Sequence, residues 1–152
     1  MKLTLSALAL GLALAVSGPA MADNNGWDGG GYNHSHSNDS QDATIYQNGN
    51  ANDAGITQTF NEDATAKISQ NSGSSNFARI TQTNNDGDVN ATVSQDGYAN
   101  VANVNQYNGR NLVATARQVG SQNHVTIDQT NSNQTATSSQ FGSNNHSSIT
   151  QK

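Results

Sequence analysis

One motif, written five times in succession, constrains this chain more than any other feature. Its first copy is Ala43-Thr-Ile-Tyr-Gln47 followed by Asn52-Asp-Ala-Gly-Ile-Thr-Gln58. The first half recurs as 66–70, 91–95, 114–118 and 136–140, ending on Gln70, Gln95, Gln118 and Gln140. The second half recurs from Asn76 to Gln82, Asn100 to Gln106, Asn123 to Gln129 and Asn145 to Gln151. The two glutamines of a unit are 11 or 12 residues apart, and the units follow one another every 22 to 25. Ten of the thirteen glutamines fall on these two registers. A fixed period of this length marks stacked supersecondary units, each unable to bury its apolar face alone.

Within each half the positions four and two before the glutamine are apolar. In the first halves they are Ala43 and Ile45, Ala66 and Ile68, Ala91 and Val93, then the weaker Ala114/Ala116 and Ala136/Ser138. In the second halves they are Ala54/Ile56, Ala78/Ile80, Ala102/Val104, Val125/Ile127 and Ser147/Ile149. Period-two alternation with β-branched residues at the inner sites predicts strands. Between the halves stand turn-formers centred on Gly49, Gly97, Gly120 and Gly142; glycine supplies positive φ there and asparagine tolerates it. The second unit carries one extra residue, in Asn71-Ser-Gly-Ser-Ser.

Each unit is therefore strand–turn–strand, and it can close in two ways. A hairpin pairs its own two strands through a short turn. A β-arch sets them facing across a core and pairs each with its counterparts in neighbouring units. The repeat favours the arch, because in-register stacking puts Gln on Gln, Asn on Asn and Ile on Ile. Stacked amides then hydrogen-bond along the axis, whereas an isolated buried amide costs about 1–3 kcal/mol. The expected fold is all-β: a five-rung β-solenoid of stacked β-arch repeats, becoming cross-β on assembly. Its interior holds an aliphatic stripe and ladders of Gln47, Asn52, Gln58 and their counterparts. Thr, Ser, Asp, Arg and Lys lie outside.

Composition excludes the main competitors. Only 32% of residues are hydrophobic, against about 45–50% for ordinary globular chains on a tally that includes glycine. No cysteine is present, so thiolate metal sites and disulfides are out of reach. No recurrent carboxylate pair suits general acid–base work, and an enzyme is not expected. No cofactor is expected either. The single proline, Pro19, lies in an N-terminal segment of distinct character. There Lys2, an apolar run from Leu3 to Val16 and Ala20-Met-Ala22 form an export signal with cleavage expected after Ala22. Residues 23–42 read as a flexible Gly/Asn/His-rich leader, its His34 and His36 lacking a third ligand at fixed spacing. The chain from 23 to 152 carries five basic and eleven acidic residues. That acidity argues against a nucleic-acid partner, which needs a basic face.

The repeats closely resemble the curlin family, the major subunit of bacterial curli fibres. The pattern Gln-x-Gly-x-x-Asn-x-Ala stands at Gln47 to Ala54 and at Gln95 to Ala102. It recurs with Val125 or Ser147 for the alanine at Gln118 to Val125 and at Gln140 to Ser147. The resemblance covers about 43–152. Departures are the insertion after Gln70 and the lack of a consistent serine six before the anchor, where Ala64, Val89, Leu112 and Gln134 stand. The resemblance implies a functional amyloid of the biofilm matrix, secreted through the periplasm to an extracellular fibre at the cell surface. It also implies an outer-membrane export channel with accessory factors as partners, and nucleation on a minor curlin subunit. The regular fifth repeat favours the major over the nucleating subunit.

An ice-binding solenoid is the structural rival. Thr57 and Thr59, then Thr81 and Thr83, invite it, but the equivalent positions next carry Asn105/Tyr107 and Asp128/Thr130. Calcium-binding solenoids need a glycine-aspartate period that the sequence lacks. The fifth unit runs to Gln151-Lys152 without residues for a cap, so each subunit is expected to template the next.

Charge ranks the units. Acidic residues stand in the first four, whereas 133–152 has none, and like charges stacked on their own copies oppose pairing. A 133–152 peptide should therefore form fibres at neutral pH after a shorter lag than 64–88, and salt should shorten the second lag more. Earlier assembly of 64–88 at low salt would give the decision to Ile68 and Ile80 instead.

Overall fold

The computed structural model describes residues 40–152. The expected export signal and nearly all of the leader lie outside the described residues. Ten strands follow in order: β1 (Gln41–Asn50), β2 (Asp53–Thr59), β3 (Ala64–Ser74), β4 (Phe77–Thr83), β5 (Val89–Tyr98), β6 (Val101–Tyr107), β7 (Leu112–Ser121), β8 (His124–Thr130), β9 (Gln134–Ser143) and β10 (His146–Gln151). The odd strands form one five-stranded parallel sheet and the even strands another. Each consecutive odd–even pair is one rung, rung 1 holding β1 and β2 and rung 5 holding β9 and β10. The fold is thus a five-turn β-solenoid of stacked arches, in the expected register: Ile45 pairs with Ile68, Gln47 with Gln70, Ile56 with Ile80 and Gln58 with Gln82.

Alternation delivers the core. Ile56, Ile68, Ile80, Val93, Val104, Val125 and Ile127 are buried between the sheets, with Ile45 and Ile149 half-covered on the end rungs. Each fully buried Ile or Val contributes about 1.5–3 kcal/mol, but alanine fills much of the stripe and keeps the sheets close. The core is also wider than the motif implied. Ala64, Val89 and Leu112, six before the anchor glutamines, are fully buried. The strands begin two residues earlier than the repeat suggested, Gln41 pairing with Ala64.

The turns are shorter than expected. Gly49, Gly97, Gly120 and Gly142 lie in the closing residues of the odd strands, and only two residues, such as Ala51 and Asn52, stand between strands. Axial backbone bonds hold the chain through the bend: Ser75 N donates to Asn50 O at 3.0 Å and Asp53 N to Asn76 O at 2.8 Å. Stacking therefore continues where a hairpin would turn. The extra residue of unit two is absorbed by a bulge between Asn71 and Ser74, with Ser72 at φ 48°. This restores Gly73 to its place between Gly49 and Gly97.

Glycine is required in that column by close approach. A Cβ on Gly97, at φ +121°, would stand 2.0 Å from the carbonyl oxygen of Gly120, whereas one on Gly55 meets nothing within 4 Å. Gly97→Ala should therefore destabilise the folded array by roughly 1–3 kcal/mol, and Gly55→Ala should leave it unchanged or slightly firmer. The denaturant midpoint of the far-ultraviolet β signal checks both; equal midpoints would show that the arc can relax.

Candidate assembly site

Ten strands pointing the same amides inward create a polar problem that the stacking itself resolves. In the odd sheet the Nε2 of Gln47 donates to Oε1 of Gln70, Gln70 to Gln95, Gln95 to Gln118 and Gln118 to Gln140, at 2.8–3.1 Å. In the even sheet Gln58 donates to Gln82, Gln82 to Gln106, Gln106 to Gln129 and Gln129 to Gln151, at 2.8–2.9 Å. Both ladders run the same way, each amide nitrogen pointing to the higher rung. The second N–H is also placed. Gln106 gives it to the Asn90 carbonyl across the core, and Gln95 to the Phe77 carbonyl one rung below. The glutamines thereby stitch the two sheets together.

Asparagine runs the opposite way. The backbone N–H and Nδ2 of Asn76 donate down to Oδ1 of Asn52, and Asn100, Asn123 and Asn145 repeat this at 3.0–3.1 Å. The remaining N–H of Asn76, Asn100 and Asn123 reaches up to a glycine carbonyl of the next rung. One side chain thus closes its own arc and holds rungs on both sides.

A second, shorter asparagine ladder lies in the opposite arc, unannounced by the motif. Buried Asn85 donates N–H and Nδ2 down to Oδ1 of Asn61, and its own Oδ1 accepts from Gly109 N. It stops at Gly109, where a Cβ would stand 2.4 Å from the Asn131 carbonyl oxygen and 2.7 Å from a Leu112 methyl carbon. The signal was present as Phe60-Asn61 and Asn84-Asn85, each three residues beyond a glutamine. Only two copies exist, too few for a period.

The outer faces carry separate columns. Thr44, Lys67, Thr92, Thr115 and Thr137 stack on the odd sheet, a longer threonine column than the one starting at Thr57. On the other sheet Asn105 donates to Asp128 at 2.6 Å. Arg110 pairs with Asp86 at the outer arc. A hydrogen bond from Arg110, and then one with Glu62, hold the Asp86 carboxyl below the usual carboxylate range. A depressed carboxyl contributes stability above its unfolded value and loses it as pH falls through the folded one. Both side chains are about 60% exposed, so solvent screening leaves little of it.

The end rungs differ from the interior. Three buried side-chain atoms lack a hydrogen-bond partner among the described residues: Oε1 of Gln41, Gln58 and Gln134. Gln41 and Gln58 belong to rung 1 and Gln134 to rung 5. At the far end of the even ladder, Nε2 of Gln151 gives one N–H to the Thr135 carbonyl. Its second N–H occupies the place that meets a glutamine oxygen on every rung below. All fifteen amides expected on the inner registers are therefore in their ladders, and the rungs that close the array hold the unmatched atoms.

These features define a parallel β-solenoid whose interior is cross-linked by axial amides. Comparison with protein-family models, with curated proteins and with solved structures finds no match to this chain.

A mid-ladder replacement should be costly and an outward one silent. Gln106→Leu removes the acceptor of Gln82 and the donor to Gln129, each buried, at about 1–3 kcal/mol per orphaned group. Thr92→Ser on the outer face should stay within about 0.5 kcal/mol. Denaturant titration of both variants is the measurement, and equal midpoints would remove the ladder as a source of stability.

Proposed function

We propose that the chain is the secreted structural subunit of an extracellular curli-type fibre, built by stacking one solenoid on the next. The observation that carries this reading is the placement of the unpartnered buried oxygens of Gln41, Gln58 and Gln134 on the end rungs. A second copy set on rung 5 supplies what is missing. Gln151 of the lower copy donates to Gln58 of the upper. In the column of Gln134 and Gln41 each amide turns its second N–H to the other's oxygen, the first being held by the Thr130 and Asn61 carbonyls. Asn52 of the upper copy donates down to Asn145. The open strands β9 and β10 pair with β1 and β2, extending both parallel sheets at the spacing of about 4.8 Å they already have. Reversed stacking, rung 1 on rung 1, sets acceptor against acceptor and does not close.

Growth by templating suits a weakly cored chain. Ordering costs about 1–2 kcal/mol of backbone entropy per residue, and an alanine-rich stripe offsets it poorly until a preformed end supplies paired strands. The chain is thus exported unfolded through an outer-membrane channel with accessory factors and becomes ordered on a growing end. A nucleating curlin starts the fibre at the cell surface. The polymer serves adhesion, aggregation and the biofilm matrix. It is a structural component, not an enzyme.

Purified 23–152 should acquire its β signal and dye binding after a lag that preformed seeds abolish. Replacing Gln47 or Gln151 by Leu should slow seeded elongation, while Thr44→Ser should not; equal rates for all three would sever the ladder from growth. A second reading rests on the Thr92, Thr115 and Thr137 column, which presents regularly spaced hydroxyls and methyls on a parallel sheet as an ice-binding face would. A prompt, monodisperse, stable β-protein that depresses freezing would favour it.

A further inference from the structure

One column on the outer face of the even sheet runs Asp53, Phe77, Val101, His124, His146 from rung 1 to rung 5. Its interior is apolar, and its titratable groups stand at the two ends. The rings of His124 and His146 lie 5.0 Å apart, inclined by 48°. His124 is half-buried and Thr126 Oγ1 lies 3.4 Å from its Nε2, whereas His146 is exposed. No group of three potential metal ligands meets among the described residues of a single copy. A copy stacked as above changes that count. It continues the column in register, so Asp53 of the upper copy takes the place directly above His146.

We propose that each joint between stacked copies is a site for a divalent transition cation, held by His124 and His146 of one copy and Asp53 of the next. This rests on the stacked-array reading and adds a ligand to it. Two imidazole nitrogens and a carboxylate suit Zn²⁺, Ni²⁺ or Cu²⁺; Ca²⁺ and Mg²⁺ prefer all-oxygen sets. Zn–N bonds of about 2.0–2.1 Å at a tetrahedral angle put the two nitrogens about 3.3 Å apart. Imidazoles on adjacent strands with centroids 5.0 Å apart reach that by side-chain rotation. The fourth position is left to water. The nearest cation on the flanking column is Arg79, on the second rung of the upper copy, while Gly55 beside Asp53 leaves the site open.

A cation bound only at the joint stabilises the polymer over the free chain by mass action. The test uses the chain from residue 23 with His34 and His36 replaced by alanine, so that the leader does not compete. Fibres grown without metal are titrated with ZnCl₂ by calorimetry, and the soluble chain left at equilibrium is measured with and without zinc. Expected are about one Zn²⁺ per chain in fibres, much weaker uptake by unpolymerised chain, and a severalfold drop in soluble chain. His146→Asn should abolish uptake, and Asp53→Asn should weaken it roughly tenfold or more. Fibres that bind no zinc, or that bind it equally with His146→Asn, would overturn the site alone. Undiminished binding by Asp53→Asn would show that the adjacent copy supplies no ligand, and would also overturn it. If no fibres form, the stacked-array reading falls and the site falls with it.

Discussion

The axial hydrogen bond between identical amides is the interaction on which everything else in this molecule depends. A buried glutamine is a liability in an apolar core and a connector in a column of glutamines, because each oxygen then meets the nitrogen of its neighbour. That condition holds only if every unit repeats the same residue at the same place. Register, arc shape and rung spacing are therefore not separate properties of the fold. They are consequences of satisfying ten inward glutamines with one another. The asparagines add direction, for their bonds run opposite to those of the glutamines, and a rung has distinct upper and lower faces. Two polar ladders of opposite sense make each end complementary to the other end and not to itself.

Apolar burial has a secondary role here. Alanine and a few β-branched residues fill the gap between the sheets without leaving room for anything larger. Leu112 is instructive, since its burial coincides with Gly109 in the arc that leads into β7 and with the loss of an asparagine there. The position three beyond Gln106 gives up its amide side chain to a leucine methyl, while its backbone N–H still donates to Asn85 Oδ1.

Most of this was legible in the sequence, for a physical reason. When a structure is a stack, the residues that touch are those one period apart, and a period can be read directly. Gln47, Gln70, Gln95, Gln118 and Gln140 announce their contacts by spacing. Features confined to one or two rungs send no such signal. Asn61 and Asn85 repeat only once before Gly109 ends their column. Ala64, Val89 and Leu112 share burial without sharing an identity, so they read as departures from a serine pattern rather than as a core layer. The bend was misjudged in length because Gly49 and its counterparts look like loop residues, yet the axial bonds of a parallel stack pass through them. The outer columns, His124 over His146 among them, became visible only once the register of β8 and β10 was fixed.

The arc from β4 to β5 has a mechanical corollary: five residues, 84–88, stand between those strands, against four at 60–63 and 108–111 and three at 131–133. Every strand lies across the solenoid axis, so a pull along that axis is borne by hydrogen bonds and by the covalent arcs that climb from rung to rung. An arc with a residue to spare carries slack. Under axial load the step between rungs 2 and 3, where the longest repeat spacing falls, can lengthen before its backbone becomes taut, while the regular steps on either side cannot. A uniform rod would fail wherever its weakest bond happened to be. This one has an extensible link built in at a fixed position.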